Sequence, residues 1–140
     1  MVRKLEINEL ETVMKIWLDV NVKTHDFICE NYWQSNYDLV KEMLPSATIF
    51  VYEDNNQIQG FIGLIDNYIA GIFINSNSQS KGIGKTLLNY VRENNSELLL
   101  HVYKKNIRAV NFYLREGFII SKEQVDENTN ELELVMHWIK

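Results

Sequence analysis

The first third of the chain carries apolar residues at helical spacing. They begin after Asn8 and recur every three or four positions: Leu10, Val13, Met14, Trp17, Leu18 and Val20. This pattern predicts an amphipathic helix. Glu11 follows Asn8 by three residues, as an N-cap and its capping-box partner do. Residues 2–7 predict a short strand before this helix, and 32–43 predict a second helix that ends before Pro45.

The middle of the chain changes to strand-like patterns. The apolar runs 47–52 and 58–65 are separated by an acidic and amide-rich turn at 53–56. Two such runs around a turn of this composition predict an antiparallel hairpin. A third strand is predicted over 68–74, after a tight turn at Asp66 and Asn67.

The last half of the chain alternates helices and strands. A polar loop at 75–80 precedes an amphipathic helix at 83–91, and 97–102 is a nearly continuous apolar strand typical of a sheet centre. A helix over 106–116 is expected to stop at Gly117, a good left-handed C′ residue. A final pair of strands, 118–120 and 132–136, is predicted across the turn at 126–130.

The element order β-α-α-β-β-β-α-β-α-β-β predicts an α/β fold on a mixed sheet. The chain has 140 residues, of which 46% are hydrophobic and 24% charged, and it has neither an internal repeat nor a glycine- and serine-rich linker. A chain of this length usually builds one core. We therefore expect a single domain over 1–140.

Charge and cysteine content narrow the class of protein. The formal net charge is −5, so nothing in the overall charge favours nucleic acid or an anionic membrane as a partner. No apolar stretch approaches the length of a membrane span. Cys29, the one cysteine, cannot form an internal disulfide and is expected to be buried. The N-terminus lacks the apolar region of a signal peptide, and we expect a cytoplasmic protein.

No metal site is expected from the sequence. The three histidines, His25, His101 and His137, do not have ligand spacing. Residues 126–130 begin like a calcium loop, but Glu131 and His137 stand where that loop needs glycine and glutamate.

The strongest chemical signal is the loop from Gln79 to Gly84, which joins an apolar strand to an amphipathic helix. The start of a helix presents free backbone N–H groups and the positive end of its dipole, which suit phosphate. Gly82 and Gly84 would let phosphate oxygens approach the main chain without a Cβ in the way. The alternative is an ordinary glycine turn. A nucleotide P-loop is a remote third alternative, because its first glycine would fall at position 79, which is Gln79.

A second motif lies downstream, over 106–118. Together the two motifs resemble the GNAT family of acetyl-CoA-dependent N-acetyltransferases. Gln79, Gly82 and Gly84 match the family's Gln/Arg-x-x-Gly-x-Gly/Ala signature. The family's later Asn, Ala, Phe-Tyr and Gly-Phe positions are matched by Asn106, Ala109, Phe112-Tyr113 and Gly117-Phe118. The resemblance is strongest over 47–120.

The resemblance implies the GNAT fold, a mixed and mostly antiparallel central sheet flanked by helices and splayed between strands 4 and 5. It implies acetyl-CoA as donor and a catalytic Tyr113, whose hydroxyl would protonate the departing thiolate. Strand 4 backbone would polarise the thioester carbonyl. The cofactor-binding residues that it implies are Ile72, Phe73, Ile74, Gln79, Ser80, Lys81, Gly82, Ile83, Gly84, Lys85, Asn106 and Asn111.

The amine acceptor is expected on the side of the N-terminal helices. The residues we expect there are Trp17, His25, Phe27, Tyr32, Trp33 and Tyr68. For Trp17, Phe27 and Trp33 the alternative is that they close the core, and for His25 it is a hydrogen-bonded structural role. Strand 4 carries no carboxylate where many family members have a Glu base, so the base stays open.

The sequence thus predicts direct acetyl transfer from acetyl-CoA to a primary amine, either a protein lysine or N-terminus or a small amine. The alternative is a CoA-binding sensor or interaction module without catalysis. The missing strand carboxylate favours this alternative and Tyr113 argues against it. We expect a monomer or a homodimer.

Overall fold

The computed structural model describes all of residues 1–140, which form one seven-stranded sheet with the strand order β1-β2-β3-β4-β5-β7-β6. The strands are β1 (Val2–Lys4), β2 (Thr48–Asp54), β3 (Gln57–Ile65), β4 (Tyr68–Ile74), β5 (Glu97–Tyr103), β6 (Ile119–Asp126) and β7 (Glu131–Ile139). All neighbours are antiparallel except β4 and β5, which are parallel. The predicted mixed, mostly antiparallel sheet is confirmed.

Four helices flank the sheet: α1 (Leu10–Thr24), α2 (Glu30–Met43), α3 (Ile83–Arg92) and α4 (Ile107–Arg115). No helix is both long and apolar enough to cross a membrane. Gly117 ends α4 with φ of 93°, as predicted, and the Phe118 N–H donates to the Tyr113 carbonyl at 3.0 Å. This bond is typical of a Schellman C-cap.

The predicted N-cap at Asn8 is wrong. A 3₁₀ turn over Ile7–Glu9 precedes α1, and its capping box joins Glu6 to Glu9. The Glu9 carboxylate accepts from the Glu6 N–H at 3.0 Å and from both Arg3 η nitrogens, at 2.9 and 2.7 Å. The first strand ends at Lys4 rather than at the predicted residue 7, and the 3₁₀ turn already occupies Ile7.

The two faces of the sheet carry separate hydrophobic clusters. On one face α1 and α2 bury Met14, Trp17 and Trp33 against β2 and β3. On the other, α3 and α4 pack Leu87, Leu88 and Tyr113 on β3, β4, β5 and β7. The predicted cofactor-binding residues of β4 contribute to both faces, since Ile72 and Ile74 pack against the cluster of α3 and α4 and Phe73 packs against that of α1 and α2.

The sheet opens between β4 and β5. Only Tyr68 with Leu99 and Ile69 with Leu100 are paired across this junction, although each strand has seven residues. Beyond Ile69 the strands diverge, and 72–74 keep partners on β3 only. The predicted splay is confirmed, and we call the opening the wedge.

Candidate active site

The wedge exposes main-chain groups of β4. The Asn75 N–H donates to the Gln59 carbonyl at 2.8 Å, and hydrogen-bonded pairs alternate along an antiparallel ladder. The peptide groups of Ile72 and Ile74 therefore point away from β3 and toward the wedge. Phe73 alternates with them, and its ring stacks on Phe61 at a centroid distance of 5.0 Å. Two of the three strand residues predicted to bind cofactor thus present backbone groups to the opening.

The loop that follows β4 ends at an uncapped helix start. Gly82 is the N-cap of α3, with φ of 80°, and no side chain caps the helix. The first N–H groups of α3 consequently have no partner within the helix. Ser80 also has positive φ, 65°. Lys81 and Lys85 are exposed beside this helix start, so its surroundings are cationic.

The two glycines of the loop have different roles. A Cβ at Gly82 would meet nothing within 4 Å, and the positive φ is what favours glycine there. A Cβ at Gly84 would lie 3.6 Å from Phe112 Cζ. A side chain at Gly84 would thus point toward α4 and make an ordinary contact there, so neither strain nor crowding requires glycine at this position.

Gln79 and Arg108 hold the loop in place. Gln79 Nε2 donates to the Ile74 carbonyl at 3.1 Å, and Gln79 Oε1 accepts from Arg108 Nη1 at 2.9 Å. Arg108 Nη2 donates to Ser80 Oγ at 2.7 Å. The sequence did not predict this role of Arg108. The one signal for it was its position two residues after Asn106, the N-cap of the helix. Asn111, also predicted to bind cofactor, is exposed on α4.

Tyr113 lies in the core below the wedge. It is 7% exposed, and its ring packs edge-on against Phe112 and Phe118 at 5.2 and 5.4 Å. Its hydroxyl makes no hydrogen bond within the protein. Burial, and to a smaller extent the nearby Tyr68, raises the pKa of the Tyr113 hydroxyl above the ordinary tyrosine value. Tyr113 is therefore protonated and has an unused donor.

The predicted acceptor residues meet around the connection between α1 and α2. Trp17 and Trp33 are buried and pack edge-on at 5.9 Å, which agrees with the alternative that they close the core. Tyr32 and Phe27 are half-buried. Phe27 lies edge-on to Tyr103 of β5 at 5.7 Å, so this connection reaches the sheet beside the wedge. Cys29, expected to be buried, is exposed on the same connection, because it precedes the first turn of α2.

His25 joins the two sides of the site through hydrogen bonds. Its Nδ1 lies 3.0 Å from Asn21 Oδ1, and its Nε2 lies 3.2 Å from Asn106 Nδ2. Asn21 Nδ2 donates to the Trp17 carbonyl at 2.9 Å, and Asn106 Oδ1 accepts from the Ala109 N–H at 3.3 Å. These bonds orient both amides, so Nδ1 carries the proton and Nε2 accepts.

The surroundings of His25 keep it neutral. Its ring stacks on Trp33 at 5.5 Å and lies edge-on to Tyr103 at 5.1 Å. Burial lowers the pKa of the imidazole to about 4, against a smaller opposite effect of Asp26. His25 thus links the end of α1 to Asn106, the N-cap of α4. No group of three His, Cys, Asp or Glu side chains is arranged to hold a metal ion.

Comparison with known proteins identifies the family. Residues 23–134 match the family model described as an acetyltransferase (GNAT) domain. The chain therefore belongs to the GNAT family and is an N-acetyltransferase.

Its relatives include stand-alone enzymes. The chain is 32% identical over 140 residues to the peptidyl-lysine N-acetyltransferase YiaC of Escherichia coli, covering 99% of this chain and 96% of that one. It is 30% identical over 128 residues to the E. coli peptidyl-lysine N-acetyltransferase YjaB, covering 90% and 87%. The solution structure of apo YjaB superposes with a TM-score of 0.86 at 28% identity, over 99% of this chain and 96% of that one.

Proposed function

We propose that this protein transfers the acetyl group of acetyl-CoA directly to a primary amine, and that the amine is a lysine side chain of a protein. The observation that supports this most is the alignment of three features along the wedge. These are the outward-facing peptides of Ile72 and Ile74, the uncapped start of α3 at Gly82, and the unpaired hydroxyl of Tyr113. Members of the GNAT family use acetyl-CoA, and both named relatives are peptidyl-lysine N-acetyltransferases.

In this mechanism the pyrophosphate lies against the N–H groups that begin α3, with Lys81 and Lys85 adding positive charge. The pantetheine arm hydrogen-bonds to β4 in the wedge. The main chain of β4 stabilises the oxyanion that forms when the amine attacks the thioester carbon. The C–N bond forms, the C–S bond breaks, and Tyr113 donates its proton to the sulfur. The proton lost by the amine nitrogen restores the tyrosine.

The alternative of an inactive CoA-binding module is disfavoured by Tyr113. Most of the Tyr113 side chain is buried, yet its hydroxyl makes no hydrogen bond within the protein and is free to donate to a bound ligand. A module that only binds CoA has no need of this donor. We place the protein in the cytoplasm, where coenzyme A is available and a single exposed cysteine stays reduced.

Calorimetry with acetyl-CoA, and with Mg²⁺·ATP as control, tests the cofactor. Stoichiometric binding of acetyl-CoA alone is expected, and a folded protein that does not bind it refutes the proposal. Tyr113→Phe should keep acetyl-CoA affinity and lower acetylation of a lysine peptide by about a hundredfold or more. Tyr90→Phe, which removes an exposed hydroxyl on α3, is the matched control and should leave both unchanged. Unchanged turnover in Tyr113→Phe would refute its catalytic role.

A further inference from the structure

Glu133 differs from its neighbours on the β6–β7 hairpin. Glu123 pairs with Lys104 at 2.7 Å, and Glu131 pairs with Lys105 at 3.1 Å. Glu133 has no lysine or arginine within ion-pair distance, although only 15% of its side chain is exposed. Burying a carboxylate without a cation is costly. The hairpin thus keeps a half-buried negative charge that the chain itself does not neutralise.

The contacts of Glu133 leave part of its carboxylate free. Oε1 accepts from Gln124 Nε2 at 2.8 Å and lies 3.6 Å from His101 Nδ1, whereas Oε2 has no hydrogen-bond partner. In the β5–β7 ladder Glu133 pairs with Tyr103, whose hydroxyl donates to Asp126 Oδ2 at 2.7 Å. A second carboxylate therefore lies on the same side of the hairpin.

Aromatic side chains surround this charge and connect it to the wedge. Tyr68, at the vertex of the wedge, lies edge-on to His101 at 5.3 Å. The hydroxyls of Tyr32 and Tyr68 make no hydrogen bond within the protein. Burial and then the negative charges of Asp126 and Glu133 raise the pKa of both phenols. We call the space among Tyr32, Tyr68, Tyr103 and Glu133 the acidic cleft.

Tyr68 also lies close to Tyr113, the residue proposed to protonate the thiolate. Tyr113 is 7% exposed with an unpaired hydroxyl, and Tyr68 is near enough to raise its pKa. Tyr68 therefore lies near both the hairpin carboxylates and Tyr113, whose hydroxyl has no hydrogen-bond partner in the protein.

We propose that Glu133 binds the acceptor as a cation, receiving the ammonium group of a lysine side chain in the acidic cleft. This inference rests on the function proposed above. Aromatic faces around the carboxylate suit both the ammonium group and its alkyl chain. Transfer requires the ammonium to lose one proton, and the carboxylate that holds it is placed to accept that proton. The N–H bond breaks, an O–H bond forms on Glu133, and the nitrogen gains a free lone pair.

Binding without turnover tests this inference. The probes are two capped tripeptides, Ala-Lys-Ala and its neutral analogue with norleucine in place of lysine, titrated into protein saturated with CoA. The wild-type protein should bind the lysine peptide about tenfold more tightly, and Glu133→Gln should abolish this preference. Glu133→Asp should retain part of it. Glu123→Gln is the matched control from the same hairpin and should behave as wild type.

If Glu133→Gln does not fold, the salt dependence of peptide binding by the wild-type protein tests the same inference. The preference for the lysine peptide should fall as sodium chloride rises, because salt screens the ion pair. Equal binding of the two peptides by the wild type, or an undiminished preference in Glu133→Gln, overturns the inference. Calorimetry with acetyl-CoA separates the two proposals. If acetyl-CoA binds but the lysine preference is absent, only the role of Glu133 fails.

Discussion

The neutral state of His25 predicts a specific loss of stability in acid. The unfolded chain takes up a proton at this residue near the ordinary pKa of 6.5, whereas the folded protein resists it down to about 4. Between these values the unfolded state binds more protons, so stability rises with pH. The contribution of His25 is complete above pH 6.5 and is lost as the pH falls toward 4.

The size of this effect follows from the shift. A difference of about 2.5 pKa units corresponds to about 3 kcal/mol, with about 2 kcal/mol already lost at pH 5. His25→Gln removes the titrating group. The difference in free energy of unfolding between wild type and His25→Gln should therefore shrink by about 3 kcal/mol between pH 7 and pH 4.

Urea unfolding of both proteins at pH 7, 5 and 4 measures this difference, and carboxylates that titrate in both proteins cancel. Proton NMR of the His25 ring follows the same titration directly in the folded protein. A difference that does not change with pH, or a ring that titrates near pH 6.5, would show that the Asn21–His25–Asn106 chain is not formed as described.

Four further substitutions should alter stability in urea unfolding. Gly82→Ala should cost about 1–2 kcal/mol because of its positive φ, whereas Gly84→Ala should gain about 0.5–1 kcal/mol of helix propensity; equal effects would contradict the different roles assigned to the two glycines. Asn106→Ala should cost about 1 kcal/mol through loss of the α4 N-cap, and an unchanged midpoint would rule out that cap. Arg92→Ala, which removes two charge-assisted bonds to Glu116 at 2.6 and 2.7 Å, should cost about 2 kcal/mol; a loss no larger than that of Lys104→Ala, on an exposed pair, would refute this estimate.

Features set by local patterns were predictable from the sequence. Changes in the spacing of hydrophobic residues located all four helices and all seven strands. The position of Gly117 after 106–116 located the end of α4. The motif at 79–84 located the helix start beside the wedge. Each of these depends on residues close together in the chain, where spacing and conformational preference carry the information.

Features set by distant side chains were not predictable. Glu9 rather than Asn8 organises the start of α1 because Arg3 binds it. His25 and Asn106 are 81 positions apart, and no spacing rule connects them. Glu133 is one of many acidic residues in the sequence, and only the hairpin shows that its neighbours are paired with lysines and it is not.

The wedge also affects how the molecule resists unfolding. Its vertex joins a four-stranded part, β1 to β4, to a three-stranded part, β5 to β7, through two residue pairs. Few backbone hydrogen bonds therefore connect the two parts of the sheet. The side chains of α3 and α4, which pack across the junction, provide most of the remaining contact between them. A ligand that hydrogen-bonds to both edges of the wedge would connect β4 to β5 and so hold the two parts of the sheet together. Occupancy of the wedge should then slow amide exchange in β5 and β7 as well as in β4, and raise the unfolding temperature of the whole sheet.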